Sequence, residues 1–89
     1  MISFQECLDL SGLTEDEAEI LAEHENIPVM VAMEMGATLL QTPKGTYYLK
    51  CCIQDRLARA EHSGDRARAK HLDRVLLRFN QVHPVPRVL

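Results

Sequence analysis

The chain has 89 residues and a formal net charge of −3, with 46% hydrophobic residues, 26% charged residues and no tryptophan. This length suits one compact domain and excludes two, and the composition excludes an intrinsically disordered chain. Aromatic residues make up only 4% of the sequence, so the core has to consist of Leu, Ile, Val, Met and Ala, which suit helix packing. No apolar run approaches the ~20 residues that a membrane-spanning helix needs.

The three cysteines Cys7, Cys51 and Cys52 form no CxxC motif and no set that can pair completely. An odd number of cysteines with two adjacent in sequence indicates reduced thiols in a reducing compartment. The first ten residues include Glu6 and Asp9 and no basic residue, which does not fit a secretory signal. We therefore expect a cytoplasmic protein, with no cofactor indicated by any motif.

Hydrophobic periodicity predicts an all-α fold. The predicted helical segments are residues 3–10, 14–26, 28–41, 46–62 and 65–83. The second begins with the capping box Thr14-Glu15-Asp16-Glu17, and Pro28 is expected as the first residue of the third. Residues 42–45 are expected to form a turn, because Pro43 and Gly45 suit one.

The simplest architecture is a small bundle of three longer helices, with a short helix at the front, possibly one further helix, and short connections. We assign residues 1–83 to this single domain. Residues 84–89 contain two prolines and are expected to form an extended tail.

Residues 28–41 are the most apolar part of the chain, because only Glu34 and Thr38 interrupt them before their end. A helix that is apolar nearly all round is buried, so this one is expected either at the centre of the bundle or between two copies of the chain. The candidate interaction residues are Val29, Met30, Met33 and Leu40. The apolar residues of the tail are a further reason to expect a homodimer.

Charge is divided between the two halves of the chain: residues 1–49 carry a net −8 and residues 50–89 a net +5. The simpler explanation is that acidic and basic helices lie side by side or face each other across a dimer. The alternative is a nucleic-acid-binding face on the last two helices, formed by Arg56, Arg59, Arg66, Arg68, Lys70, Arg74 and Arg78. The negative net charge and the lack of interleaved aromatic residues argue against nucleic acid.

His24 and Glu34 are the candidate ligand- or metal-binding residues. His24 falls on the apolar stripe of its helix, and a carboxylate in so apolar a segment as 28–41 should be buried and need a partner. The chain has no Glu-x-x-His, HExxH or zinc-module spacing, so no metal site is firmly predicted. The structural alternative places His24 at the negative end of a helix dipole and pairs Glu34 with another helix. No nucleophile or phosphate-binding motif is present, and we expect no enzymatic activity.

The segments Ala22-Glu23-His24-Glu25-Asn26-Ile27-Pro28, Glu34-Met35-Gly36 and Thr42-Pro43-Lys44-Gly45 resemble small uncharacterised helical proteins of proteobacteria. The resemblance covers the middle third of the chain. It implies a bacterial cytoplasmic setting, and it carries over no activity and no site residue. The function that the sequence favours is a small protein-interaction or assembly module that self-associates. The alternatives are a ligand- or metal-binding bundle and a nucleic-acid-associated regulator.

Overall fold

The computed structural model describes residue 6 and residues 12–84. Four helices lie in residues 12–84: α1 (Glu15–Glu25), α2 (Val29–Leu39), α3 (Pro43–Ser63) and α4 (Arg66–Val82). These residues contain no strand, which confirms the all-α prediction. The predicted helix over residues 3–10 and the predicted tail over 84–89 lie outside the described residues, except for Glu6, which is helical, and Pro84.

The predicted capping box is confirmed at the start of α1. The Glu17 backbone N–H donates to Thr14 Oγ1 at 3.2 Å, and the Thr14 N–H donates to Glu17 Oε1 at 3.0 Å. Asn26 ends the helix in the left-handed region with φ of 55°, a conformation that asparagine tolerates. The start of α1 was predictable from the sequence because Thr14 and Glu17 lie within one turn of each other.

The predicted turn over residues 42–45 is wrong, because these residues begin α3. Thr42 is the N-cap, its hydroxyl accepts from the Gly45 N–H at 3.0 Å, and Pro43 is the first helical residue. Proline fits this position because its missing N–H has no partner there anyway. The prediction that Pro28 is the first residue of the preceding helix is wrong by one position, since Pro28 is the N-cap of α2.

A single core joins the four helices. It contains Leu13 and Ala18, Ile20, Leu21, Ala32, Met33, Leu49, Cys52, Ile53, Ala60, Leu72, Val75 and Phe79. α2 packs against α1 and α3, α1 also packs against α3, and α3 packs against α4. Partly buried residues that pack against this core include Leu57 on α3 and Ala69 and Leu76 on α4, whereas Val82 at the end of α4 is exposed.

α2 has one buried face and one exposed face. Ala32, Met33 and Gly36 are buried, whereas the outward positions are Met30, Val31, Glu34 and Thr38. Burial at the centre of the bundle, the first of the two predicted placements, is therefore wrong, and a position between two copies of the chain stays a prediction. Most of the apolar residues of α2 contribute to the core of their own chain, whereas Met30 and Val31 remain 43% and 47% exposed.

Candidate interaction surfaces

His24 lies near the C-terminal end of α1, between carboxylates from two helices. Its Nδ1 is 3.2 Å from Glu25 Oε2, and its Nε2 is 3.5 Å from Asp55 Oδ2 on α3. Its ring also meets that of Tyr48 edge-on, with centroids 6.4 Å apart. Its Nδ1 is within hydrogen-bond distance of Glu25, whereas its Nε2 lies at the longer distance of an ion-pair contact from Asp55.

Glu34 does not join His24. The prediction that Glu34 is buried and paired is wrong, because its side chain is exposed and makes no ion pair with any described residue. Residues 12–84 and residue 6 contain no group of three or more His, Cys, Asp or Glu residues that could hold a metal ion. The two candidate ligands therefore form no common site.

The side chains around His24 connect the end of α1 to α3. The Tyr48 hydroxyl donates to Glu25 Oε1 at 2.8 Å, and this bond raises the pKa of Tyr48 to about 12. Burial raises the pKa of Cys52 to about 11, with a further contribution from the charge of Glu25. The Tyr48 hydroxyl and the Cys52 thiol are therefore protonated at neutral pH. The cluster connects α1 to α3 by hydrogen bonds and supplies no nucleophile.

The four predicted interaction residues fall in different environments. Met30 is 43% exposed and Val29 and Leu40 are half-buried, but Met33 is only 2% exposed and belongs to the core. Met33 is therefore removed from any binding surface of the folded chain. The remaining three do not form a continuous apolar face, because Glu34 and Thr38 occupy the outward side of the same helix.

An apolar groove that sequence reasoning missed lies where the end of α2 meets the start of α3. It has a volume of about 480 Å³ and is lined by Leu39, Thr42, Lys44, Gly45, Tyr47, Tyr48 and Cys51; we call it the tyrosine groove. Tyr47 is 47% exposed, and the neighbouring Cys51 thiol raises the pKa of the Tyr47 hydroxyl. The sequence feature that could have indicated this groove is Pro43. A helix that begins at Pro43 has both Tyr47 and Tyr48 in its second turn.

Two side-chain contacts between opposite charges or with histidine connect the acidic α1 to the basic α4. Glu23 pairs with Arg68, and Asp16 Oδ1 lies 3.3 Å from His71 Nε2. On α3, Arg59 pairs with Asp55 at 3.0 Å. Part of the predicted basic face is thus neutralised within the chain.

Two rows of like charge remain on the outward faces of these helices. Glu15, Glu19 and Glu23 form an acidic row along α1, and Arg66, Lys70 and Arg74 form a basic row along α4, all of them exposed. Spacing of four residues places each row on one face of its helix over about 12 Å. Glu15, Glu19 and the three cations make no ion pair with described residues.

The basic row opposes the stability of its own helix. The N-cap Asp65 is favourable at the positive end of α4, but Arg66 and Arg68 in the first turn are not, and the last turn has no basic residue. Each like-charged pair four residues apart costs roughly 0.2–0.5 kcal/mol. The acidic row, in contrast, begins at the positive end of α1 and is favourable there.

Compared with protein-family models, with curated proteins and with solved structures, the chain gives no match. Among the helices of the described residues, none combines the length and the apolar character required to cross a membrane. The surfaces therefore have to be interpreted from their own chemistry.

Proposed function

We propose that this chain is a small cytoplasmic protein-interaction module without catalytic activity, and that it binds a segment of another protein in the tyrosine groove. The observation that carries the proposal is the groove itself, an apolar depression with two exposed tyrosines. Tyrosine and tryptophan are enriched at the energetic centres of protein interfaces, because they combine a large apolar area with a polar tip.

The groove is partly organised before any partner binds. Tyr48 is held by its hydrogen bond to Glu25. A side chain that is already restrained loses less entropy when it is covered. Met30 and Val31 are also exposed, but their side chains have no N–H or O–H group through which a hydrogen bond could restrain them. Binding at the groove is therefore favoured over binding at these two residues.

Charge defines the chemistry of the partner. Lys44 is exposed at the rim of the groove, close to the positive N-terminal end of α3. Among the described residues, no acidic side chain lines the groove. The segment that fits is therefore aliphatic or aromatic, with an Asp or Glu placed to meet Lys44.

A displayed library of random peptides, selected on the immobilised chain, tests this proposal. We expect enriched peptides with an apolar anchor and an acidic residue. Tyr47→Ala should weaken their binding about tenfold or more, the loss typical of a hot-spot residue. Lys44→Gln should weaken it less and remove part of its salt dependence.

Met30→Ala is the matched control, because Met30 is exposed to a similar extent (43% against 47% for Tyr47) and lies outside the groove. Its peptide affinity should equal that of the wild type. If no peptide is found whose binding depends on Tyr47 and not on Met30, the proposal fails. Thermal unfolding of all three variants checks that they remain folded.

A further inference from the structure

Four of the residues that line the tyrosine groove share one face of α3. They stand at positions i, i+3, i+4 and i+7 of that helix: Lys44, Tyr47, Tyr48 and Cys51. Residues with this spacing form a continuous stripe along a helix. The span from the first of them to the last is about 10 Å, or two helical turns. The groove therefore follows the axis of α3 over two turns.

The hydrogen-bonding groups beside the groove are largely used within the chain. The Thr42 hydroxyl accepts from the Gly45 N–H at 3.0 Å, and the Leu39 carbonyl accepts from the Thr42 N–H at 3.4 Å. The Tyr48 hydroxyl donates to Glu25. The groove therefore has few groups left to hydrogen-bond the backbone of a bound segment, and most of what it offers is apolar contact.

We infer that the segment bound in the tyrosine groove is an amphipathic α-helix that packs along this stripe. The inference rests on the proposed function and specifies the conformation of the partner. A helix pairs its own N–H and C=O groups, so its apolar face can cover the groove without leaving a backbone group unpaired there. Apolar residues at i, i+3 or i+4, and i+7 of the partner span the same two turns as the stripe.

An extended segment fits the groove less well. Each of its residues brings an N–H and a C=O, and burying such a group without a partner costs free energy. Extended peptides commonly solve this by pairing with the edge of a β-sheet, but residues 12–84 contain no strand. A polyproline II segment has fewer N–H groups, but its carbonyls have no partner within the segment either. The apolar lining therefore favours a partner whose backbone is paired internally.

The charge of Lys44 places a further requirement on the partner helix. Lys44 begins the stripe in the first turn of α3, whereas the uncharged Cys51 ends it. An acidic residue that meets Lys44 therefore lies at one end of the apolar stripe of the partner and not in its middle.

Two displayed libraries of equal length, selected on the immobilised chain, test the inference. Both contain peptides of about 15 residues, because shorter isolated helices are marginal. The helical library randomises positions i, i+3, i+4 and i+7 in a frame of Ala, Glu, Lys and Gln. The extended library places proline at every third position and randomises the residues between. We expect binding that depends on Tyr47 from the helical library.

Proline substitution then tests the bound conformation of a selected peptide. At a central position that faces away from the apolar stripe, proline should weaken binding about a hundredfold, because it breaks the helix. At the first helical position it should leave the affinity unchanged, because the N–H that it removes has no partner in the helix. A Tyr47-dependent peptide that tolerates the central proline overturns the inference.

Cys51→Glu tests whether the partner reaches the far end of the stripe. This variant places a charge in the groove two turns from Lys44 and should weaken a helical peptide about tenfold or more, because the charge loses water when the peptide covers it. Gln54→Glu is the matched control, since it makes the same change of charge on α3 at an exposed position outside the groove. Equal peptide affinity of the two variants, both shown to be folded by thermal unfolding, would overturn the inference.

The outcomes distinguish this inference from the proposed function. Tyr47-dependent peptides from the extended library that bind as tightly as those from the helical library contradict the helix and leave the tyrosine groove as a binding site. If neither library yields a peptide whose binding depends on Tyr47, the proposed function fails as well.

Discussion

Gly45→Ala is expected to destabilise the protein, although alanine is the better helix former. Gly45 is buried in the first turn of α3, where that helix passes the end of α2. A Cβ atom at this position would lie 2.1 Å from the carbonyl oxygen of Leu39 and 2.8 Å from its carbonyl carbon. These are backbone atoms, so a side-chain rotation cannot relieve the contact.

The magnitude follows from two opposing contributions. Replacing glycine by alanine inside a helix gains at most about 1 kcal/mol. Forcing an extra methyl group into a packed site costs about 1–3 kcal/mol, and the upper part of that range applies because two helices have to separate. The net loss is then about 1–2 kcal/mol, or roughly 5–15 °C in Tm for a domain of this size.

Thermal and urea unfolding followed by circular dichroism measures this loss. Gly36→Ala is the informative comparison, because its Cβ would meet the side chain of Leu13, with the nearest atom at 2.3 Å. A side chain can move, so this variant should lose less. A Gly45→Ala protein as stable as the wild type would refute the close contact between α2 and α3, and with it the geometry of the tyrosine groove.

Three further predictions concern titratable groups. In a Tyr47→Phe variant Tyr48 is the only tyrosine, and its tyrosinate absorbance should titrate near 12. Adding Glu25→Gln should return the pKa of Tyr48 toward its ordinary value of 10, and an unchanged titration would exclude the Tyr48–Glu25 bond. Cys52 should react with a thiol reagent only when the chain unfolds, because burial raises its pKa to about 11 and encloses it; rapid reaction in the folded state would contradict this. Burial raises the pKa of Glu17 above 4.5, so the folded state retains its proton to higher pH than the unfolded state does and loses stability as pH rises through that range. Glu17→Gln keeps an acceptor for the capping box and should therefore become more stable relative to wild type as pH rises from 4.5 to neutrality, as measured by urea unfolding.

The helices were predictable because their signals are local. Capping residues lie within one turn of the groups they satisfy, as Thr14 and Glu17 do, and inward residues repeat at helical spacing. The error at residues 42–45 has the same origin. Thr-Pro-x-Gly suits both a turn and a helix N-terminus, and only the packing of Gly45 against Leu39 distinguishes them.

The environment of Glu34 was predictable in part. Met30, Glu34 and Thr38 are spaced four residues apart, so they share one face, and its two polar members indicate that it points outward. The many apolar residues on the other faces of α2 conceal this spacing of its polar residues. The partners of His24 were harder to predict, because Asp55 lies thirty-one positions away in the sequence and meets His24 only when α1 packs on α3.

The tyrosine groove and the charged rows can act separately because they depend on different contacts. The groove is set by the passage of Gly45 past Leu39 and by the bond from Tyr48 to Glu25. The rows depend only on the outward faces of α1 and α4. Glu25 is nevertheless on α1, two residues beyond Glu23, so the end of that helix contacts both regions.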